Sequence, residues 1–259
     1  MPARRKRSSA GSKRAWRSSS GGKRWTLNYE EVVPKVAVAV IERLGLDYAN
    51  IDINFIYDIV EEIVRGIAES RATKPSIKSL INNIIRNKLL FMKAVATKLI
   101  DKDELSVNQL EFIIAYTPEI AGRAAPKLYK AAKKAGADHI IESLRSLWLK
   151  YGRPTPFTCP RCGFRALTPD LVCMVCEAEI DEIEFKENIR FKELLREFVE
   201  ESPASASMAL SAGFVLYDGE KLYAPSARPM LEGKLVMTLY LTTKEKEIIY
   251  NLIENKIKG

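Results

Sequence analysis

The chain has few of the residues on which common catalytic sites depend. Among its 259 residues there is one histidine, His139, and there are four cysteines. The sequence contains no G-x-x-x-x-G-K-[ST] phosphate loop, no G-x-S-x-G elbow, no H-E-x-x-H pair and no glycine-rich dinucleotide loop. A triad base needs a matching nucleophile, so a packed or capping role is the favoured interpretation of His139. We therefore expect a protein that is not primarily an enzyme.

Long hydrophobic runs are also absent. No apolar stretch approaches the roughly 20 residues that a membrane-spanning helix requires, and no secretory or lipidation signal is visible. The cysteines all fall in one short segment, which suits a metal site in a reducing compartment. We therefore expect a cytoplasmic protein without a membrane partner. A single glutamine beside abundant Lys, Arg, Glu and Ile is typical of thermophile proteins and favours an archaeal source.

Acidic residues are missing from the first 24 positions, where basic residues are dense. The chain carries 41 Lys and Arg against 33 Asp and Glu, a net charge of +8. Nine of these cations lie in residues 1–24, so the remainder is close to neutral. Ser and Gly separate the cations, and we predict a disordered basic tail over residues 1–27.

This tail is the first predicted nucleic-acid contact. Its cations displace counterions from phosphates, and its tryptophans suit stacking on exposed bases. The alternatives are a solubilising tail, a targeting run, or contact with an acidic protein or anionic membrane surface. The predicted contacts are Arg4, Arg5, Lys6, Arg7, Lys13, Arg14, Trp16, Arg17, Lys23, Arg24 and Trp25.

The four cysteines are spaced C-x2-C-x10-C-x2-C, at Cys159, Cys162, Cys173 and Cys176. Two cysteines three positions apart in a tight turn place their sulfurs about 3.5–4 Å apart, as tetrahedral zinc with bonds of about 2.3 Å requires. A shell of four thiolates leaves no open coordination position, so we predict a structural Zn²⁺. Disulfides are disfavoured, because cysteines three positions apart make a poor staple for a large domain.

The segment resembles a zinc ribbon of the CPxCG…CxxC type over residues 157–180, about a tenth of the chain. Cys159-Pro160-Arg161-Cys162-Gly163 matches the first knuckle, whereas Glu177 follows the second where glycine is common. Such ribbons recur in transcription, translation and RNA-processing proteins, which implies contact with nucleic acid or protein rather than catalysis. Rubredoxins hold iron in similar knuckles, so iron is the alternative metal. Between the cysteine pairs, residues 164–172 are predicted as strand, turn and strand.

Residues 28–152 carry apolar side chains at helical spacing and show no strand pattern. We predict an α-helical bundle of five or six helices. Asp52 is a candidate N-cap, and Ser106 with Gln109 is a candidate capping box. The predicted helices cover residues 30–44, 52–69, 76–99, 107–116, 125–135 and 138–150.

Two runs within this bundle contain cations and no acid. In one ideal helix over residues 76–99, Lys78, Arg86 and Lys93 fall within an arc of about 80°. The helix predicted over residues 125–135 carries three cations on one face, Lys127, Lys130 and Lys134. All six are predicted nucleic-acid contacts, and the alternative is that acids on neighbouring helices neutralise them. Residues 106–135 also permit a helix-turn-helix, although the interruption at 117–126 is longer than the usual turn.

Residues 184–259 predict a small α+β unit. Helices over 189–200 and 203–212 precede a hairpin in which Asp218-Gly219 suits a type I′ turn. A third strand over 235–241 leads to a helix capped by Thr242 and Glu245. The chain is therefore predicted to be multi-domain. Its parts are the tail (1–27), the α-helical bundle (28–152), the zinc ribbon (153–183) and an α+β unit with a three-stranded antiparallel sheet (184–259).

Three functions compete on these patterns. The favoured one is a zinc-stabilised protein that binds nucleic acid, RNA or a ribonucleoprotein in preference to duplex DNA, in transcription, translation or RNA processing. The alternative is a protein–protein adaptor of a polymerase, replication or ribosomal assembly. The third is a metal-dependent enzyme on nucleic acid, since the acidic clusters Asp101-x-Asp103-Glu104 and Asp181-Glu182-x-Glu184 contain carboxylates that suit Mg²⁺.

Overall fold

A computed structural model describes residues 25–258, and most of these residues are helical. Eight α-helices occupy the part before the cysteines, with a short 3₁₀ turn at Leu46–Ala49 after the first. Residues 28–152 contain no strand, as the sequence predicts. The helices are α1 (Tyr29–Leu44), α2 (Ile53–Glu69), α3 (Ile77–Arg86), α4 (Lys88–Ile100), α5 (Val107–Tyr116), α6 (Pro118–Arg123), α7 (Ala125–Lys134) and α8 (Asp138–Tyr151).

Side-chain caps begin several of these helices where the sequence places them. The Asp52 carboxylate accepts a hydrogen bond from the Asn54 amide at 2.9 Å and starts α2. At α5, Ser106 Oγ accepts from the Gln109 amide and Gln109 Oε1 accepts from the Ser106 amide, a complete capping box. Each cap satisfies amides that the first helical turn leaves without partners.

The helix predicted over residues 76–99 is two helices, because the chain breaks at Asn87. The backbone of Asn87 (φ −103°, ψ 30°) leaves the helical range, and its side-chain amide donates to the Asn83 carbonyl at 2.9 Å. An asparagine that bonds to nearby backbone competes with helix continuation. The predicted arc of cations assumed an unbroken helix, so it no longer groups Lys93 with Lys78 and Arg86.

The predicted interruption at residues 117–126 is itself helical and packs tightly. It contains α6, and a Cβ atom added at Gly122 would lie 2.6 Å from the Leu147 carbonyl oxygen of α8. Only glycine permits this close approach of two helix backbones. The segment that the sequence offered as a long turn is therefore part of the helical core.

The cysteine segment contains two short antiparallel strands, β1 (Phe157–Thr158) and β2 (Arg165–Leu167). Their pairing differs from the prediction of strand, turn and strand between the cysteine pairs. Strand β2 pairs with β1, which precedes the first cysteine, and the return segment makes only isolated bridges, at Cys173 and Val172. Leu171, directly before these bridges, adopts φ 63°, which lies outside the range of a regular strand.

The C-terminal part combines six elements predicted from sequence with two that were not. Strands β3 (Phe214–Tyr217), β4 (Leu222–Tyr223) and β5 (Met237–Tyr240) form an antiparallel sheet in the order β4-β3-β5. The unpredicted elements are the first helix and a 3₁₀ segment at Pro225–Leu231. The helices are α9 (Glu182–Asn188), α10 (Phe191–Glu201), α11 (Pro203–Ala212) and α12 (Thr243–Lys258).

The β3–β4 turn lies one residue later than predicted. The Asp218 amide donates to the Lys221 carbonyl at 3.3 Å, so Gly219 and Glu220 are the central residues. Gly219 has φ 105°, whereas neither Asp218 nor Glu220 has positive φ. A type I′ turn needs two central residues with positive φ, and glycine at the first central position is instead the pattern of type II′. The Asp218 carboxylate accepts from the amides of Glu220 and Lys221, at 3.0 Å each.

A buried charged cluster ties α9 to the last strand and helix. Lys186 is 6% exposed, and its ammonium lies 3.0 Å from Glu182 and 3.1 Å from Glu245. It also donates to the Tyr240 carbonyl and lies 5.0 Å from the centre of the Phe191 ring. Glu245 accepts from the Thr242 amide at 2.7 Å, which completes the predicted capping box of α12.

One continuous set of buried apolar side chains runs through the helical part, the cysteine segment and the C-terminal part. The cysteine segment lies between the other two and contributes Phe157, Phe164 and Leu167 to this core. Within residues 25–258, no helix combines the length and apolar character needed to cross a membrane.

Candidate metal centre

The four cysteine sulfurs converge on one point between two turns. All four lie within 4.8 Å of one another, and the Cys159–Cys176 and Cys162–Cys173 pairs are separated by 3.7 and 3.6 Å. Tetrahedral bonds of about 2.3 Å place sulfurs roughly 3.8 Å apart. The four cysteines thus form one group that could hold a metal ion, and the donor set fits a tetrahedral, thiolate-preferring ion.

Two tight turns position the sulfurs. The Gly163 amide donates to the Cys159 carbonyl, and the Glu177 amide donates to the Cys173 carbonyl, each at 2.9 Å. Gly163 has φ 74°, the left-handed conformation that the sequence predicts after the first pair. At the second turn, the amides at positions 175 and 176 point at the Cys173 sulfur from 3.4 and 3.5 Å. Amides directed at sulfur favour the thiolate that binds metal.

Hydrogen bonds among the cysteines shift their pKa values in opposite directions. The pKa of Cys162 is raised by its bonds to Cys159 and Cys173, and the pKa of Cys173 is raised by its bond to Cys159. Hydrogen bonds from Cys162 and Cys173, with backbone amides of the first turn, hold the pKa of Cys159 well below that of an ordinary thiol. On α7, burial and then the charge of the cysteines raise the pKa of Tyr129, whose ring packs edge-on against Phe164 with centroids 5.6 Å apart. A bound cation would favour the thiolate at Cys162 and Cys173 as well as at Cys159.

Burial makes the site a closed one. Cys159, Cys162 and Cys173 are at most 2% exposed, and Cys176 is partly buried. With four protein sulfurs around the ion there is no coordination position for water or substrate. The chemistry available to this arrangement is therefore stabilisation of the local fold.

Glu177 occupies a strained position at the edge of the second turn. Its φ is 59°, so the structure places a glutamate in the left-handed conformation that glycine commonly supplies in such turns. A side chain in this conformation costs about 1–2 kcal/mol. The Glu177 carboxylate forms an ion pair with Lys130 of α7 at 2.7 Å, with both side chains more than half exposed. Such an exposed pair stabilises by at most about 1 kcal/mol.

Replacement of Glu177 by glycine should therefore stabilise the protein relative to alanine. Both Glu177→Gly and Glu177→Ala remove the ion pair to Lys130, but only glycine relieves the strain. We expect the free energy of unfolding to be about 1 kcal/mol higher for the glycine variant. Urea unfolding of the metal-loaded proteins measures the difference. Equal stability, or a more stable alanine variant, would contradict the strained geometry.

The metal-binding turns contact the protein on both sides. Toward the helical part, the Arg145 guanidinium donates to the Cys162 carbonyl at 3.0 Å, and the Trp148 indole donates to the Arg165 carbonyl at 2.9 Å. Toward the C-terminal part, Arg161 forms two hydrogen bonds with Glu184, at 3.3 and 3.1 Å. The two α8 side chains were not predicted, because no local pattern marks a residue that bonds to backbone 17 positions away.

The predicted tail contacts lie outside the described residues, except for the last. Arg4, Arg5, Lys6, Arg7, Lys13, Arg14, Trp16, Arg17, Lys23 and Arg24 all precede residue 25. Trp25 packs partly buried against the core, and its indole donates to the Ala72 carbonyl at 3.2 Å. Leu27, also assigned to the tail, is 8% exposed. Trp25 is thus partly engaged in the fold and presents less surface for stacking than a tail residue would.

The predicted cations of the helical part differ in their partners. Lys78, Arg86 and Lys93 are exposed and form no ion pair with any described residue. On α7, Lys127 is also unpaired, but Lys130 pairs with Glu177 and Lys134 pairs with Glu104 at 2.5 Å. The prediction that α7 binds nucleic acid stays open, since both pairs are exposed and weak. Among the six predicted cations, the four without an ion pair to any described residue therefore lie on α3 (two), α4 (one) and α7 (one).

The two acidic clusters do not converge on a second site. Within residues 25–256, the cysteines are the only group of three or more His, Cys, Asp or Glu side chains close enough to share one ion. In the later cluster, Asp181 caps α9, Glu182 contacts Lys186 and Glu184 contacts Arg161. His139, the single histidine, lies 3.0 Å from Glu111 on the surface.

The geometry identifies a group of four cysteines that could hold a metal ion, between two helical parts. Comparison of the chain with protein-family models, with curated proteins and with solved structures finds no match.

Proposed function

We propose that the protein binds nucleic acid, with RNA or a ribonucleoprotein favoured, and acts in cytoplasmic transcription, translation or RNA processing. The observation that carries the proposal is the separation of charge: nine cations and no acid in residues 1–24, on a chain whose remainder is close to neutral. Such a segment gives salt-dependent affinity for any phosphate backbone.

The unpaired cations of the helical part support the same function. If these side chains served only to neutralise neighbouring helices, acids should lie beside them, as Glu104 lies beside Lys134. Lys78 and Arg86 have no such partner among the described residues. Exposed cations without acids give a positive surface on a nearly neutral body, which is the electrostatic pattern of phosphate binding.

We further propose that the cysteine segment is a zinc ribbon with one structural Zn²⁺. Its cysteine spacing and sulfur separations support this assignment, and four thiolates suit zinc in a tetrahedral site. Its contacts with α8 through Arg145 and with α9 through Arg161 suggest its role. The ribbon fixes the helical part, which carries the free cations, relative to the C-terminal part.

Removal of the tail should weaken RNA binding and reduce its salt dependence. Each cation on a phosphate of a single strand contributes about −0.7 to the slope of log K against log salt. Deletion of residues 1–24 should lower the magnitude of that slope by about 3–6 and reduce affinity at least tenfold near 0.1 M salt. Fluorescence anisotropy with a labelled single-stranded RNA, titrated over salt, measures both.

A matched control separates charge from chain length. In the full-length control, the nine Lys and Arg residues of 1–24 are replaced by Ser, and this chain should behave like the deletion. DNA of the same sequence forms a second arm and tests the preference for RNA. An unchanged slope and affinity in both tail variants would remove the tail from the mechanism, and a flat slope for the intact chain would refute nucleic-acid binding.

A second candidate function is a protein–protein adaptor within such an assembly. Large apolar side chains are exposed on the C-terminal part, including Ile183 (63%), Met230 (84%) and Tyr240 (63%). Exposed apolar residues of this kind occur at protein interfaces. Purification of the native chain decides between the two: a stoichiometric protein partner without bound RNA supports the adaptor, and bound RNA that nuclease removes supports the first proposal.

A further inference from the structure

A polar hollow lies on the surface where the loop after α2 meets α3. Its volume is about 310 Å³, and seven residues line it, none of them acidic. They supply three cations, two hydroxyls and two carboxamides. The lining residues are Arg71, Ser76, Lys78, Ser79, Asn82, Asn83 and Arg86.

Hydrogen bonds among the lining residues fix the positions of Ser76, Ser79 and Arg71 at the hollow. Ser76 caps α3, and its hydroxyl accepts from the Ser79 amide at 3.2 Å. The Ser79 hydroxyl in turn accepts from the Arg71 guanidinium at 3.0 Å. This bond uses one of the five N–H groups of the guanidinium and leaves the others for a ligand. Arg71 is therefore positioned at the hollow by a side chain from the first turn of α3.

The charge of the hollow is not compensated by the protein. Within the described part of the chain, Arg71, Lys78 and Arg86 form no ion pair. No acid occurs in the sequence between Ser70 and Ile100. Three cations held around one hollow repel each other, and this repulsion is relieved when an anion lies between them. The α7 surface differs, because acids already pair with Lys130 and Lys134.

The exposed face of α3 adds a hydrogen-bonding group to the cations. Lys78, Asn82 and Arg86 follow one another at intervals of four residues and so share one side of the helix. The Asn82 carboxamide is exposed and makes no hydrogen bond to any described residue, whereas Asn83 lies near the Asn87 amide, at 3.5 Å. A carboxamide can donate and accept, so it can bond to a ribose hydroxyl or a base edge.

We propose that this hollow binds a phosphodiester of an RNA strand, with Arg71, Lys78 and Arg86 on the phosphate oxygens and Asn82 on the adjoining ribose or base. The inference rests on the proposed nucleic-acid function and assigns a specific phosphate-binding site to it. The guanidinium groups match the geometry of phosphate oxygens, and Asn82 contacts what a bare phosphate lacks. Sequence-based reasoning named Lys78 and Arg86 but not Arg71, because Arg71 reaches the site from a loop.

Two triple variants of the full-length chain test this phosphate-binding site. One combines Arg71→Gln, Lys78→Gln and Arg86→Gln. The control combines Lys192→Gln, Arg196→Gln and Lys244→Gln, which removes three exposed, unpaired cations from the C-terminal part. Both lose the same charge. We expect the hollow variant to bind single-stranded RNA 10- to 100-fold more weakly, with a salt slope smaller in magnitude by about 2. The control should change affinity less than threefold.

Asn82→Ala tests the role of the carboxamide separately. This variant should keep the salt slope of the unaltered protein but lose part of its preference for RNA over DNA of the same sequence. Thermal unfolding of every variant within about 2 °C of the unaltered protein would show that the fold is retained. Equal losses of RNA affinity in the hollow and control variants would refute the phosphate-binding site but not the proposal that the protein binds nucleic acid. Absence of RNA binding by the unaltered chain would overturn both proposals.

Discussion

A chain carrying Cys162→Ser should lose its metal and unfold at a temperature roughly 10–15 °C lower. The cysteine segment has two short strands of two and three residues, too little regular structure to hold the turns without an ion. Cys162 is 2% exposed, and its segment shares a hydrophobic core with the helical and C-terminal parts. Loss of this ligand therefore disrupts a buried site and weakens that core. Loss of a buried ligand should lower the free energy of unfolding by about 4 kcal/mol or more. In a chain of this size, that loss corresponds to an unfolding temperature roughly 10–15 °C lower.

Elemental analysis and thermal unfolding of the purified proteins measure the effect. The unaltered chain should contain about one zinc ion, and the serine variant should contain far less. Ser146→Ala, an exposed hydroxyl on α8, provides a control that changes neither quantity. Iron in place of zinc would identify the alternative metal without changing the argument. A serine variant with full metal content and an unchanged unfolding temperature would refute the metal centre.

Lys186→Met should be the most damaging substitution away from the cysteines. The ammonium of Lys186 lies between Glu182 and Glu245 and contacts the Tyr240 carbonyl, in a site where the lysine side chain is 8% exposed. Its removal leaves Glu245, whose side chain is 11% exposed, without a compensating charge. Breaking a buried pair in this way costs about 3–5 kcal/mol, because the remaining charge cannot regain its hydration.

Two further variants test this interpretation by chemical unfolding. Lys35→Met removes a lysine that pairs with Glu31 on the surface, where the side chains are 56% and 59% exposed, and should change stability by less than about 0.5 kcal/mol. Lys186→Met combined with Glu245→Gln should recover about half of the loss, since the unpaired carboxylate is gone. If Lys186→Met costs no more than Lys35→Met, the cluster has no energetic role.

Features set by neighbouring residues were predictable from sequence. The spacing of Cys159 and Cys162 determines one turn, and the same spacing at Cys173 determines the other. The capping boxes at Ser106 and Thr242 were also predicted, because both partners lie within three residues of each other. Such local patterns depend little on the remainder of the fold.

Features set by distant residues were not predictable. Apolar periodicity continues through Asn87, so nothing in the pattern marked the break between α3 and α4, and the cation arc was drawn through it. The acids at 181–184 were considered from sequence as carboxylates that suit Mg²⁺. In the structure Asp181 begins α9 and Glu182 contacts Lys186, whose other partner Glu245 is 59 residues away. Helix α9 therefore depends on tertiary contacts that its own sequence does not contain.

The contacts that α9 makes with β5 also bear on self-association. Strand β5 lies at the border of its sheet, where unpaired backbone groups can template the addition of a strand from another molecule. At Tyr240 this is blocked, because the amide donates to Glu182 at 2.9 Å and the carbonyl accepts from Lys186. The charged side chains of α9 thus oppose polymerisation through strand addition at this edge of the sheet.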